Sequence, residues 1–174
     1  MASSQNLSNL TMLVPVLKGA AIAGSFRNAG VMTMAHDLLP SIYPLVSTSP
    51  KLALQQWKFS YDLQSQIVPL TDLATIAACG GLAYLEHKTD SQGLAWKLWA
   101  GAAGLMPVGW LYVWVVMLEP SNKLVALATA TESALEEKKA GTIDALQKFN
   151  GLMTVRMAIP WVVGGLAIAA SLAK

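Results

Sequence analysis

The chain has 174 residues, of which 54% are hydrophobic and only 13% charged, with a formal net charge of +2 and a single cysteine. A soluble domain carries about 25% charged residues, so the composition excludes an ordinary water-covered surface, and the small net charge excludes nucleic acid as a partner. One thiol, Cys79, also excludes an internal disulfide or a cysteine-built metal cluster.

The apolar excess points to the lipid bilayer as solvent. The expected fold class is all-α: an integral membrane four-helix bundle with amphipathic loop helices on one side, formed as one domain over residues 1–174. Crossing the hydrocarbon core takes about 20 apolar residues. Windows of that kind lie near Leu13–Met34, Ile67–Glu86, Leu98–Leu118 and Leu152–Leu172. The start MASSQNLSN lacks the basic leader of a signal peptide, so the first window is read as a retained span. After it, Ala35–Gln66 is predicted as a loop holding DLLPSIYPLVSTSP and then an amphipathic run with Leu52, Trp57, Tyr61 and Leu63 at helical spacing. Pro15, Pro69, Pro107 and Pro160 fall in or beside the windows, where they predict kinks. The last loop, Glu119–Asn150, is predicted as a surface helix interrupted near Gly141. Lys51, Lys58, Lys123, Lys138, Lys139 and Lys148 gather in these two loops, which assigns their side to the cytoplasm.

Ionisable groups inside spans cost about 2.5–3.5 kcal/mol each on insertion scales and mark functional sites by default. They are Lys18, placed to snorkel, and the deeper Arg27, Asp72 and Arg156. The last three lie toward the same leaflet as His36, Asp37, Glu119, Asn122 and Asn150. A polar cluster at one mouth of the bundle is therefore expected. Trp96 and Trp99 read as interfacial anchors, whereas Trp110, Trp114 and Trp161 are placed to wall a flat apolar pocket. The two histidines, His36 and His87, fall at opposite ends of their spans and cannot share a metal within one subunit. No dinucleotide, phosphate-loop or serine-elbow motif is present.

The run GWLYVWVVMLEPSNKLVAL, followed by LQKFNGLMTVRMAIPWVVGGLA, resembles the anthrone oxygenase-like family of small four-span membrane proteins. The resemblance extends through DLLPSIYP and QQWKFSYDLQSQIVP and covers nearly the whole chain. Its carriers are Pro120, Asn122 and Leu124 after the third span, and Asn150 with Arg156 at the start of the fourth. The family's tryptophan–tyrosine segment corresponds to Trp57 and Tyr61, and Phe149 stands where the family often has tryptophan. The resemblance implies oxygenation of an anthrone-type aromatic polyketide to an anthraquinone, with O2 as co-substrate and no flavin or metal. The implied setting is a multi-pass protein of an endomembrane acting on a small lipophilic aromatic substrate, with homo-oligomerisation left open.

Such chemistry needs a base, a cation beside the resulting anion, and a dry cavity. Asp72 or His36 is the expected base, with Arg156 and then Arg27 as electrostatic partners. Asn122 and Asn150 are expected to orient the substrate, and Trp57, Tyr61, Trp110, Trp114 and Trp161 to bind it. Two rival readings are a non-oxidative cyclase or isomerase of a lipophilic intermediate and a non-catalytic four-span scaffold.

Overall fold

The structure is a computed structural model that describes residues 2–173, with side-chain surroundings from residue 13 onward. All its described elements are helical. They are α1 (Ala2–Thr48), α2 (Pro50–Thr89), α3 (Ala95–Tyr112), a π-helical turn (Val113–Met117), α4 (Leu118–Thr129), α5 (Glu132–Glu136) and α6 (Lys139–Leu172). The protein is thus all-α. Three stretches, Pro50–Thr89, Ala95–Thr129 and Lys139–Leu172, are long and apolar enough to cross a membrane. The first expected window lies within α1, whose 47 residues include Lys18 and Arg27.

Two local expectations are corrected. Residues 35–66 are not a loop: α1 continues to Thr48, α2 begins at Pro50, and Ser49 alone separates them. Pro40 and Pro44 sit inside α1. A proline in a helix interior costs about 3 kcal/mol. Here the same stretch buries Leu39, Ile42 and Val46 on one face, together with Ala53, Leu54 and Trp57 of α2. Each fully buried large aliphatic side chain contributes about 1.5–3 kcal/mol, so packing outweighs the lost backbone bond.

The second correction concerns Gly141, which lies within α6 and breaks nothing. Thr142, fully buried, donates its hydroxyl to Lys138 O and holds the first turn there. The chain instead leaves the helix at Ala130 and Thr131, whose ψ angles of 161° and 156° are extended. Lys51 Nζ donates to the carbonyls of Ala128 and Ala130 at 3.0 and 2.7 Å, satisfying acceptors that the end of α4 exposes.

The helices form two compact units. The first comprises Met1–Asn28, Pro69–Val108 and Ile159–Lys174; the second comprises Ala29–Val68 and Gly109–Ala158. In the first, Ala21, Ala78, Leu82, Trp99, Met106 and Ala167 belong to one core to which α1, α2, α3 and α6 all contribute. Its small residues let helix backbones approach closely. At Gly164 a Cβ would lie 2.9 Å from the Phe26 ring, and at Gly24 it would collide with the Thr75 hydroxyl. Phe26 in turn meets Trp161 edge-on, with centroids 5.4 Å apart.

The second unit is built on larger side chains: Leu54, Trp57, Met117, Leu124, Leu146 and Phe149 are buried in its core. The π-helical turn belongs here. It buries Met117 and turns Trp114, Val115 and Val116 outward. Leu70, Leu73 and Val162 of the first unit are likewise exposed, as are Leu111 and Val155 of the second. So much exposed apolar surface on helices of this length is the mark of a lipid-facing wall.

Candidate functional site

In the first unit, successive residues of α1 bond to successive residues of α2. Arg27 Nη1 donates to the Thr71 hydroxyl, and Asn28 Nδ2 donates to Asp72 Oδ1 at 2.6 Å. Asn28 and Asp72 are 0% and 4% exposed, whereas Arg27 reaches the surface. Asn28 Oδ1 is buried without a hydrogen-bond partner among the described residues. Lys18, expected to snorkel, forms an ion pair with Glu86 at 3.4 Å. A buried carboxylate held by an amide is what a helix-joining polar contact looks like. Asn28 is not among the expected site residues, although its place beside Arg27 in an apolar window is a signal for it.

In the second unit, His36 stands between two oxygen groups. Its Nδ1 is 3.0 Å from Asp37 Oδ1, and its Nε2 is 3.1 Å from Thr154 Oγ1 on α6. Asp37 is mostly solvent-facing, while His36 is largely covered. A carboxylate at one imidazole nitrogen fixes the proton there and leaves the other nitrogen as a proton acceptor. Thr154 also approaches Asn150 O, at 3.4 Å. The Asn150 side-chain Oδ1 is a buried acceptor without a partner among the described residues.

Beside this line lies a narrow crevice lined by α1, α2 and α6. Ala35, Leu38, Leu39 and Ile42 come from α1; Trp57, Ser60, Tyr61 and Gln64 from α2; Phe149 and Met153 from α6. Trp57 and Tyr61 are one turn apart on α2 and stack at 5.1 Å, 18° from parallel. Phe149 meets Trp57 edge-on at 5.4 Å. The free space, about 10 Å³, is that of one water molecule. Trp57 is 3% exposed, and its indole Nε1 has no acceptor among the described residues. Gln64, also buried, donates to Ser60. Arg156 is half-buried and follows Phe149 and Met153 at helical spacing on α6.

The expected groups therefore fall in both units: Arg27 and Asp72 with Asn28 and Thr71 in the first, His36 and Arg156 in the second. Trp57 and Tyr61, which were expected to bind the substrate, both line the crevice. The residues expected to wall an aromatic pocket do not line it: Trp110 is half-buried, Trp114 is 71% exposed on the π-helical turn, and Trp161 is 47% exposed in the first unit. The inserted residue of the turn explains Trp114, since it rotates the outer face away from a regular 3.6-residue repeat. Asn122 is exposed on α4. His87 packs edge-on against Trp96, at 4.7 Å in the first unit. Among the described residues no three His, Cys, Asp or Glu side chains come together as metal ligands would.

These features define an all-α membrane protein with an aromatic crevice beside a carboxylate–imidazole–hydroxyl line. A family model described as Anthrone oxygenase matches residues 57–166, and the chain belongs to that family. The matched segment begins at Trp57 and takes in Tyr61, Asp72, Asn150 and Arg156, while Arg27 and His36 precede it. No curated protein and no solved structure matches the chain.

Proposed function

We propose that the protein is a membrane-bound oxygenase that converts an anthrone-type aromatic polyketide to an anthraquinone with O2 and without a bound cofactor. Family membership supports an oxygenase-type activity. The observation that carries the specific reading is His36, held by Asp37 on one nitrogen and facing Thr154 with the other, beside an aromatic crevice.

Triplet O2 reacts slowly with neutral closed-shell molecules, so the substrate must first become an electron donor. His36 accepts a proton from the CH2 of the central ring, giving a resonance-stabilised anion. Asp37 orients the ring and stabilises the imidazolium. Arg156 supplies the positive charge that favours the anion. The anion passes one electron to O2; the resulting radical pair joins at the central carbon as a peroxide. Protonation and loss of water, with cleavage of the O–O and remaining C–H bonds, leave the second ketone. One oxygen atom of O2 enters the product and the other leaves as water.

The test is to incubate membranes containing the full chain with anthrone under 18O2. The expected result is a quinone carrying one labelled oxygen, formed faster than in membranes lacking the chain and not formed without O2. Turnover that continues under strict anaerobiosis would support the cyclase or isomerase reading instead. No metabolite change with the wild-type chain would support a scaffold.

A further inference from the structure

The crevice of the second unit has a feature that the acid–base line does not use. Trp57 is 3% exposed and lines the crevice, yet its indole N–H lacks an acceptor among the described residues. A buried donor left unmade costs about 1–3 kcal/mol, a cost that an acceptor atom seated in the crevice would remove. Indole nitrogen only donates. The missing partner is therefore an acceptor, and the free space of about 10 Å³ admits one second-row atom.

The mouth narrows the class further. Of the lining residues, Leu38 is exposed and Ser60 and Tyr61 are half-exposed, whereas Ala35, Leu39, Ile42, Trp57 and Phe149 are buried. The opening thus lies between α1 and α2. A ring system cannot enter, but its carbonyl edge can meet the mouth beside the exposed Leu38 while the keto oxygen, which lies in the ring plane, fills the crevice.

We infer that the crevice is an oxygen anchor for a flat aromatic ketone delivered from the lipid phase, with Trp57 Nε1–H donating to the keto oxygen. This rests on the oxygenase reading and assigns a residue role within it. When the ring CH2 gives its proton to the base, the electron pair left behind spreads onto that same keto oxygen. A donor already placed there binds the anion more strongly than the neutral ketone, which is the condition for accelerating the step. The stacked Tyr61 and the edge-on Phe149 hold the indole plane and so fix the direction of the N–H.

The experiment uses the purified full chain in lipid nanodiscs, without O2, so that binding is read apart from turnover. The probes are 9,10-anthraquinone and anthracene, which share a ring skeleton and differ in the keto oxygens; partition into empty nanodiscs is subtracted for each. The expected result is that wild-type protein binds the quinone about tenfold tighter than the hydrocarbon, and that Trp57→Phe removes this preference, the two probes then binding alike. Equal binding of both probes by the wild type overturns the inference, whatever the variant's folding. A preference that survives Trp57→Phe overturns it as well. Aerobic turnover of anthrone by the wild type is scored separately. Preferential quinone binding without turnover leaves the anchor standing and removes the oxygenase reading, whereas turnover without the preference does the reverse.

Discussion

Asn28 and Asp72 are joined by a 2.6 Å hydrogen bond between α1 and α2, with both side chains buried. Water does not compete for this contact, so removing Asn28 takes from the buried carboxylate a donor that solvent does not replace.

We expect Asn28→Ala to destabilise the protein by about 1–3 kcal/mol. Asp72→Ala should also destabilise it, and the double variant should lose less than the sum of the two. A thermal unfolding cycle in detergent measures the coupling. Additive losses would mean that the two side chains do not stabilise one another.

Gly164 is where the Phe26 ring presses on α6, and an added Cβ would sit 2.9 Å from it. Gly164→Ala should cost about 1–3 kcal/mol through overpacking. A smaller residue at position 26 makes the space again, so Phe26→Leu should restore part of the loss in the alanine background. The melting temperatures of the two single variants and the double variant decide this; no rescue would place the strain elsewhere.

His36→Gln removes the proposed base, and turnover should fall about 100- to 10,000-fold if its proton transfer limits the rate. Asp37→Asn should give a smaller fall in kcat with little change in KM, because Asp37 acts through His36. Helicity and elution volume should match the wild type in both. Unchanged turnover in His36→Gln would transfer the base role to Asp72.

Lys51→Met removes the donor shared by Ala128 O and Ala130 O. The change should loosen the end of α4 by about 1.5–3 kcal/mol, the range for a hydrogen bond to a charged group. Hydrogen exchange of the amides over residues 126–131 should quicken while that of the α3 core around Trp99 stays slow. Uniform exchange across both segments would argue against a local cap.

Much of this was legible along the chain. A charged fraction of 13% and long apolar windows suffice to place most of the protein in lipid, since a helix satisfies its own backbone there and an open sheet does not. The resemblance in the second half led to the family. Trp57 and Tyr61 are i and i+4, a spacing that puts them on one helix face wherever that helix packs. The segment 35–66 differs from its loop expectation for a physical reason: three prolines and a serine-rich patch look like a loop, and only the apolar side chains packed around Leu39, Ile42 and Val46 outweigh that local preference.

What the chain's residue order settled was solvent, helix content and family, because these follow from composition and short-range periodicity. What the tertiary structure alone decided was which polar groups meet: Asn28 with Asp72, and His36 with Thr154, 118 residues away. It also decided that Trp57, and not Trp114, lines the crevice. Contacts at such separation depend on how far each helix runs and how it is rotated about its axis. Ser49, the π-helical turn and the break at Ala130 set those quantities, and none of them shows in a hydropathy pattern.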